Sequence, residues 1–261
     1  IMPIQENHIL RTNPEWIDQN TNKRINILNE MKKFNGGKNG IEGFYLSPNH
    51  PKVNSYLLNV FGDLIQNYDL DGLHLDYVRF HDSDYGQNPI ALSSFNKQLG
   101  ILNTPSANSL ESSQWNDYRR KGVTDLVRET KNLIQSIKPE IILTAAVKPN
   151  LYQARERFFQ EWDVWLAAGY LDKAIVMNYT KDLKEFAANI DIMYDNLPSK
   201  YRKRIVMGIA TYNQSPENVI DKIKYTRVTR FNSVSFFSYT VMLKDPLYFN
   251  SVKNILYPRD Y

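Results

Sequence analysis

Short runs of β-branched and aromatic residues alternate with amphipathic helical stretches along most of the chain, and no other feature restricts the fold as much. The runs occupy residues 72–80, 141–147, 173–179, 204–212 and 233–239. Between them the apolar residues follow a helical period. Val53, Leu57, Val60 and Leu64 mark one face of a helix that Pro51 opens. Val123, Leu126, Val127, Leu133, Ile134 and Ile137 mark another, which Pro139 stops. Shorter helical patterns cover 156–168, 183–196 and 216–226. Alternation of this kind predicts an α/β fold with parallel strands joined by helical crossovers.

The first 50 residues read differently. They are polar and rich in Asn, Gly and Pro, with Trp16 and Phe44-Tyr45-Leu46 as their main apolar points. A long loop region with a short strand near 41–46 is expected there. No linker, repeat or low-complexity tract marks a second domain, so 1–261 is expected to form one domain, with 1–50 as loop and 51–261 as βα units. The chain starts on Ile, as a processed chain or a fragment does, and residues 1–12 show no export signal.

Composition removes several function classes. There is no cysteine, which excludes disulfide scaffolds, thiolate metal sites and cysteine nucleophiles. The 32 basic and 28 acidic residues are interspersed, which fits a solvated basic surface rather than a nucleic-acid partner. No apolar run approaches the ~20 residues of a membrane span. The four histidines, His8, His50, His74 and His81, lack zinc-ligand spacing, and no metal or other cofactor is expected. The G-x-S-x-G, P-loop and G-x-G-x-x-G motifs are all missing. By contrast, 17 Tyr, 12 Phe and 4 Trp supply many flat rings, which suit both a core and the apolar face of a sugar.

Candidate chemistry centres on Asp69-Leu-Asp-Gly-Leu-His-Leu-Asp-Tyr-Val-Arg-Phe-His81. As a strand, it places Leu73, Leu75 and Tyr77 on one face and His74, Asp76 and Val78 on the other. A buried parallel strand should be almost continuously apolar, and His74 and Asp76 break that rule near its carboxyl end. Parallel α/β folds place their sites there. Asp76 is therefore expected to be catalytic or substrate-binding, against the alternative of a carboxylate satisfied by backbone or by Arg79. The other runs also end in polar or aromatic residues: Lys148 and Asn150, Asn178 and Tyr179, Tyr212 and Asn213, Ser238 and Tyr239. Together they predict a polar, tyrosine-lined cleft around one carboxylate, suited to a polyhydroxylated ligand. A cation site of His74, Asp76, Asp82 and Asp84 is a weaker alternative. Trp115, Arg119 and Arg120 fit a surface helix with a packed Trp, or a basic contact to the cleft.

Those residues fall into a familiar pattern. Leu46-Ser-Pro-Asn-His-Pro-Lys-Val53, followed by a helix and Asp71-Gly-Leu-His-Leu-Asp-Tyr-Val-Arg79, resembles the glycosyl hydrolase-like 10 family (the DUF187 group of bacterial proteins). Trp115-Asn-Asp-Tyr-Arg-Arg120, Gln160-Glu-Trp-Asp-Val-Trp-Leu-Ala-Ala-Gly-Tyr-Leu-Asp172, Val176-Met-Asn-Tyr-Thr180, Gly208-Ile-Ala-Thr-Tyr212 and Phe236-Phe-Ser-Tyr239 extend the resemblance along the chain. It implies a (β/α)8 TIM-type barrel acting on oligosaccharide or polysaccharide, in a protein that is secreted, periplasmic or outer-membrane-anchored. It also implies that this chain carries about strands four to eight, with strands one to three upstream of Ile1.

The Asp-Gly-x-His-x-Asp strand is similar to the fourth strand of α-amylase-like barrels, which makes Asp76 the candidate nucleophile. Lys148 and Asn150 stand where those barrels carry their acid. The second carboxyl is then sought at Asp182, ranked ahead of Asp82 and Asp84. The expected activity is hydrolysis of glycosidic bonds in a bacterial cell-wall or other polysaccharide. His74 and Arg79 are expected to keep Asp76 ionised and oriented. Together with Lys148, Asn178, Tyr179, Tyr212 and Tyr239 they are the expected substrate-binding residues. The rival expectation is a carbohydrate-binding barrel whose catalysis has decayed.

Overall fold

The computed structural model describes residues 8–21, 43–100 and 112–256. They group into two compact units. One draws on Ile1–Leu70, Arg79–Glu140 and Arg155–Glu161, the other on Asp71–Val78, Ile141–Ala154 and Trp162–Tyr261.

The second unit holds the sheet. Strands β1 (Gly72–Leu75), β2 (Ile142–Val147), β3 (Lys173–Met177), β4 (Ile205–Ala210) and β5 (Ser233–Phe237) pair in parallel in the order β1-β2-β3-β4-β5. A doubly wound sheet reverses its strand order partway, whereas a barrel sheet runs in sequence order, as here. The register aligns His74 with Thr144, Ala146 with Ile175, Met177 with Gly208 and Ala210 with Phe237. Side chains alternate along a strand, so one sheet face carries Leu143, Ala145, Val147, Ala174, Val176, Ile205, Met207 and Ile209, all fully buried. The other face carries the small or polar His74, Thr144, Ala146, Gly208 and Ser235 alongside the apolar Ile142, Ile175, Met177 and Val206. Helix α6 (Trp162–Ala167) packs on β3, and α8 (Pro216–Val228) on β4. Helix α7 (Leu183–Asn196) packs beside α8. Short helices α9 (Tyr239–Lys244) and α10 (Pro246–Leu256) follow β5.

The first unit is helical. After α1 (Ile9–Thr12), its main elements are α2 (Val53–Asn67), α3 (Pro89–Gln98) and α4 (Ser112–Ile137). The α5 segment (Leu151–Arg157) contributes its end. Helices α2 and α4 pack closely where Gly62 meets Leu133. Residues Leu46 to Val53 act as a staple here. Asn49 Nδ2 donates to the Tyr118 carbonyl at 2.7 Å, and Asn54 Nδ2 to that of Gly122 at 3.2 Å. A Cβ on Gly122 would come within 2.4 Å of the Asn49 side chain, so any larger residue there would displace the Asn49 amide.

Several expectations need correction. Four of the five strands stop short of their predicted ends, most of all β1, which ends at Leu75 rather than residue 80, while β2 reaches residue 147 as expected. The cause is local: Tyr77 adopts a left-handed φ of 56°, which breaks the alternation and leaves its ring exposed. The helix predicted over 156–168 is two helices, separated at Phe159, whose φ is 52°. Helix α3 was not anticipated, although Asn88-Pro89 is a strong start signal: the Asn88 side chain accepts from the Ile90 and Ala91 N–H groups. The described part of the first 50 residues is ordered by side-chain packing. Leu10, Ile17 and Phe44 form a buried cluster, and Trp16 packs on Tyr56. The strand expected near 41–46 is a single antiparallel bridge between Leu46 and Ile17, and residues 41–42 lie outside the described residues.

The most unusual group in the first unit is Asp18. Its buried Oδ2 accepts from the Gly86 N–H at 3.0 Å, and burial pushes its pKa up to about 8. Gly86 sits at a φ of 102°, and a Cβ there would strike Arg119. Arg119 in turn donates to the carbonyls of Ser83 and Tyr85 and lies 3.8 Å over the Phe159 ring. Folding thus holds a proton on Asp18 that the unfolded chain releases above its ordinary value of 3.8. Between those two values the folded state binds the extra proton, so stability falls as pH rises, by about 1.4 kcal/mol per pH unit at the steepest. Asp18→Asn keeps an acceptor for Gly86 and removes the titration. Urea denaturation between pH 5 and pH 8 is expected to show a shallower loss of stability in Asp18→Asn than in the unmodified chain.

Candidate active site

The sequence candidates in the sheet unit converge on the carboxyl ends of β1 to β5. The polar face rises from His74 through Thr144 and Ala146 to Gly208 and Phe237, and the loops beyond it carry Asp76, Lys148, Tyr179, Tyr212 and Tyr239. His74 Nδ1 lies 2.8 Å from Thr144 Oγ1, a hydrogen bond between β1 and β2 across the site floor. Desolvation lowers the His74 pKa from its ordinary value, and the charge of Asp76 opposes that shift. Burial thus favours the uncharged imidazole.

Asp76 follows β1 directly and is open to solvent. Its Oδ1 accepts from the Tyr77 N–H at 2.7 Å. The expectation of a costly buried carboxylate is thus wrong in its premise, although the placement at a strand end holds. The charge of Asp76 reaches Tyr179, whose pKa is raised first by burial and then by Asp76. Asp76, His74 and Tyr179 are therefore electrostatic neighbours. Arg79 is buried in the first unit, past the turn at Tyr77.

An aromatic cluster lines the other end of the site. Tyr179 stacks on Phe237 with ring centroids 5.5 Å apart and planes 16° from parallel. Tyr212 meets the same ring edge-on at 6.1 Å. Phe237, Tyr212 and Tyr239 are 54%, 53% and 58% exposed. Sequence reasoning passed over Phe237 because a phenylalanine at a strand end reads as core. Gly208 underlies the cluster. A Cβ there would stand 2.5 Å from the Val176 carbonyl oxygen and 3.0 Å from the Tyr179 ring. Lys148 is half-buried, and its carbonyl accepts from Trp162 Nε1.

Two candidates are committed elsewhere. Asn178 faces helix α7: its Nδ2 donates to the Phe186 carbonyl, and its Oδ1 accepts from Asn189. Both ends of the amide serve the fold rather than the cleft. Asp182 is the N-cap of α7, accepting from the Glu185 N–H at 2.8 Å, while Glu185 accepts from the Thr180 hydroxyl. A capping carboxylate acts as an acceptor for the helix's free N–H groups. The fallback Asp82 is paired with Arg157 through two bonds of 2.8 and 2.6 Å. That pairing lowers its pKa to about 2, unsuited to proton donation near neutrality. Trp115 is buried against Phe95 and Tyr118, as the packed-helix alternative has it. Among the described residues no group of three or more His, Asp or Glu side chains is disposed to hold a metal ion, and no helix is long and apolar enough to cross a membrane.

Comparison with known proteins gives the site a context. The family model described as "Glycosyl hydrolase-like 10" matches residues 1–226. "Glycosyl hydrolase DigH" of Escherichia coli O6:H1 is 23% identical over 195 residues, covering 68% of this chain and 42% of that protein. The chain thus spans less than half the length of this curated relative. Among solved structures, the PgaB (BpsB) glycoside hydrolase domain from Bordetella bronchiseptica superposes with a TM-score of 0.72 at 13% identity. That match covers 95% of this chain and 72% of the other. Alpha-L-fucosidase isoenzyme 2 from Paenibacillus thiaminolyticus superposes with a TM-score of 0.58 at 11% identity, over 94% of this chain and 34% of the other. These likenesses show a shared fold, and the TIM-type α/β assignment stands.

The geometry at Asp182 separates its two roles. Asn caps a helix as well as Asp does, whereas Ala costs about 1 kcal/mol. Asp182→Asn is expected to keep both stability and any glycan-cleaving rate, and Asp182→Ala to lower the melting temperature. Loss of cleavage in a folded Asp182→Asn would instead identify Asp182 as the proton donor.

Proposed function

We propose, from the premise that this chain belongs to the glycosyl hydrolase-like 10 family, that it is a glycosidase whose central carboxylate is Asp76. The observation that carries this reading is the position of Asp76. It is a solvent-open carboxylate at the carboxyl end of β1, beside a neutral His74 and within electrostatic reach of Tyr179. An exposed carboxylate can approach an anomeric carbon, either to attack it or to stabilise positive charge there. His74, hydrogen-bonded to Thr144, presents an uncharged imidazole to the same space. Tyr179, Tyr212, Phe237 and Tyr239 offer ring faces for the C–H surfaces of sugars, and Lys148 a polar contact. The substrate class is a bacterial cell-wall or other polysaccharide outside the cytoplasmic membrane.

One observation favours a second reading, a carbohydrate-binding module without catalysis. Glycosidases of the common type need two carboxyl groups. Asp82 is tied into an ion pair and Asp182 into a helix cap. A sugar cleft that offers Asp76 as its single strand-end carboxylate would bind without cutting.

Digestion of peptidoglycan glycan strands and a polysaccharide panel, followed by mass spectrometry, tests both readings. The unmodified chain is expected to shorten one substrate, and Asp76→Asn to lose on the order of a thousandfold or more in rate. Binding without shorter products would move the assignment to the second reading.

A further inference from the structure

Lys222 stands apart from the groups used so far. It lies on α8 in the sheet unit and is fully buried, although lysine is almost never buried unless its charge is matched. Its Nζ donates to the Thr180 carbonyl at 2.5 Å, to the Lys181 carbonyl at 3.1 Å and to Gln214 Oε1. An ammonium has three donors, and all three are used. Gln214 passes the tie on, donating through Nε2 to the Ala210 carbonyl at the end of β4. The Tyr248 hydroxyl fixes the same loop from α10, donating to the carbonyls of Thr211 and Gln214.

The three acceptors belong to the loops that follow β3 and β4. Thr180 adjoins Tyr179, and Gln214 lies two residues past Tyr212. These are the two rings that flank Phe237. Packing alone does not call for the charge: the Lys222 Nζ lies 5.4 Å from the centroid of the Phe186 ring, where an unbranched apolar side chain would fill similar space without the cost of desolvating an ammonium. Burial does lower the Lys222 pKa, while Asp182 and Glu185 act against that shift and help to keep the amine charged.

We propose that Lys222 is a positioning residue that sets the spacing of Tyr179 and Tyr212 about the Phe237 ring, and so the width of the sugar-binding cleft. The inference rests on the aromatic cleft of the reading above. Lys222 does not touch the sugar; it acts through the two loops.

The test uses the full chain with 3-fluorotyrosine incorporated, its Tyr179 and Tyr212 fluorine resonances assigned by Tyr→Phe substitution. Calorimetry with soluble glycan-strand oligosaccharides from peptidoglycan gives the dissociation constant. Lys222→Met is expected to shift both resonances and to weaken binding about tenfold, since small misplacements of contact groups are costly. In a Tyr179→Ala/Tyr212→Ala background the same substitution is expected to change binding less than about twofold, because the rings carry its effect. Unmoved resonances in folded Lys222→Met overturn the proposal, and so does an equal loss of binding in both backgrounds. If Lys222→Met does not fold, Gln214→Met removes one acceptor and keeps the lysine, and the same pattern is expected. Resonances that move while the double tyrosine variant binds as tightly as the unmodified chain would leave the positioning role standing and overturn the cleft reading instead.

Discussion

The parallel register from β1 to β5 is the constraint on which the rest of the sheet unit depends. It aligns residues of the same parity across all five strands, so each choice of side chain is repeated laterally. One parity is filled with Leu, Ile, Val, Met and Ala, fully buried from β2 to β4. Burying such side chains contributes about 1.5–3 kcal/mol each for the larger ones. The other parity is thereby free to carry His74, Thr144, Gly208 and Ser235. A one-residue slip in any strand would exchange the two sets. The dry face therefore fixes the site face: the hydrogen bond from His74 to Thr144 exists because Leu73 pairs with Leu143.

The loops above that face are held by buried polar groups rather than by apolar packing alone. Lys222 gathers three acceptors, Thr211 donates through its hydroxyl to the Ser238 carbonyl, and Tyr248 reaches two further carbonyls. The first unit uses the same device, where Asp18 and Arg119 engage the backbone of residues 83–86. Loop backbones leave donors and acceptors that no ladder satisfies, and leaving them unpaired when buried costs about 1–3 kcal/mol each. A few buried side chains with several donors or acceptors settle these groups and fix the loop shape at the same time.

Much of this was legible in the sequence, and the failures have physical causes. The five strands and most of the helices followed from period alone, because a face buried this completely leaves a strong apolar trace. The ends of the strands did not. Tyr77 turns left-handed, and no local pattern marks a tyrosine for that conformation. Asp76 was singled out for the right position and the wrong environment, since a strand assumed to run to residue 80 would have buried it. Asn178 and Asp182 looked like cleft residues because they follow a strand. Their side chains instead serve helix α7, and Asp182-Leu-Lys-Glu185 is a capping signature that could have been recognised. Lys222 was invisible: a lysine within a polar helix reads as solvated, and only its distant acceptors show otherwise.

The carboxylates then sort by environment, and the sorting bears on chemistry. Asp18 is buried, the charge of Arg119 only partly offsets its desolvation, and it holds a proton to about pH 8. Asp82 is paired with a guanidinium and gives up its proton near pH 2. Asp182 faces the N-terminus of a helix. Asp76 differs from all three: it stands in solvent, at the end of a strand whose neighbouring parity is aliphatic, next to an imidazole kept neutral by desolvation. A nucleophile or charge stabiliser has to be reachable, and burial would blunt it. Exposure is therefore the state in which a strand-end aspartate can act on a sugar, while the rigidity it lacks is supplied by the Tyr77 N–H and by the sheet beneath.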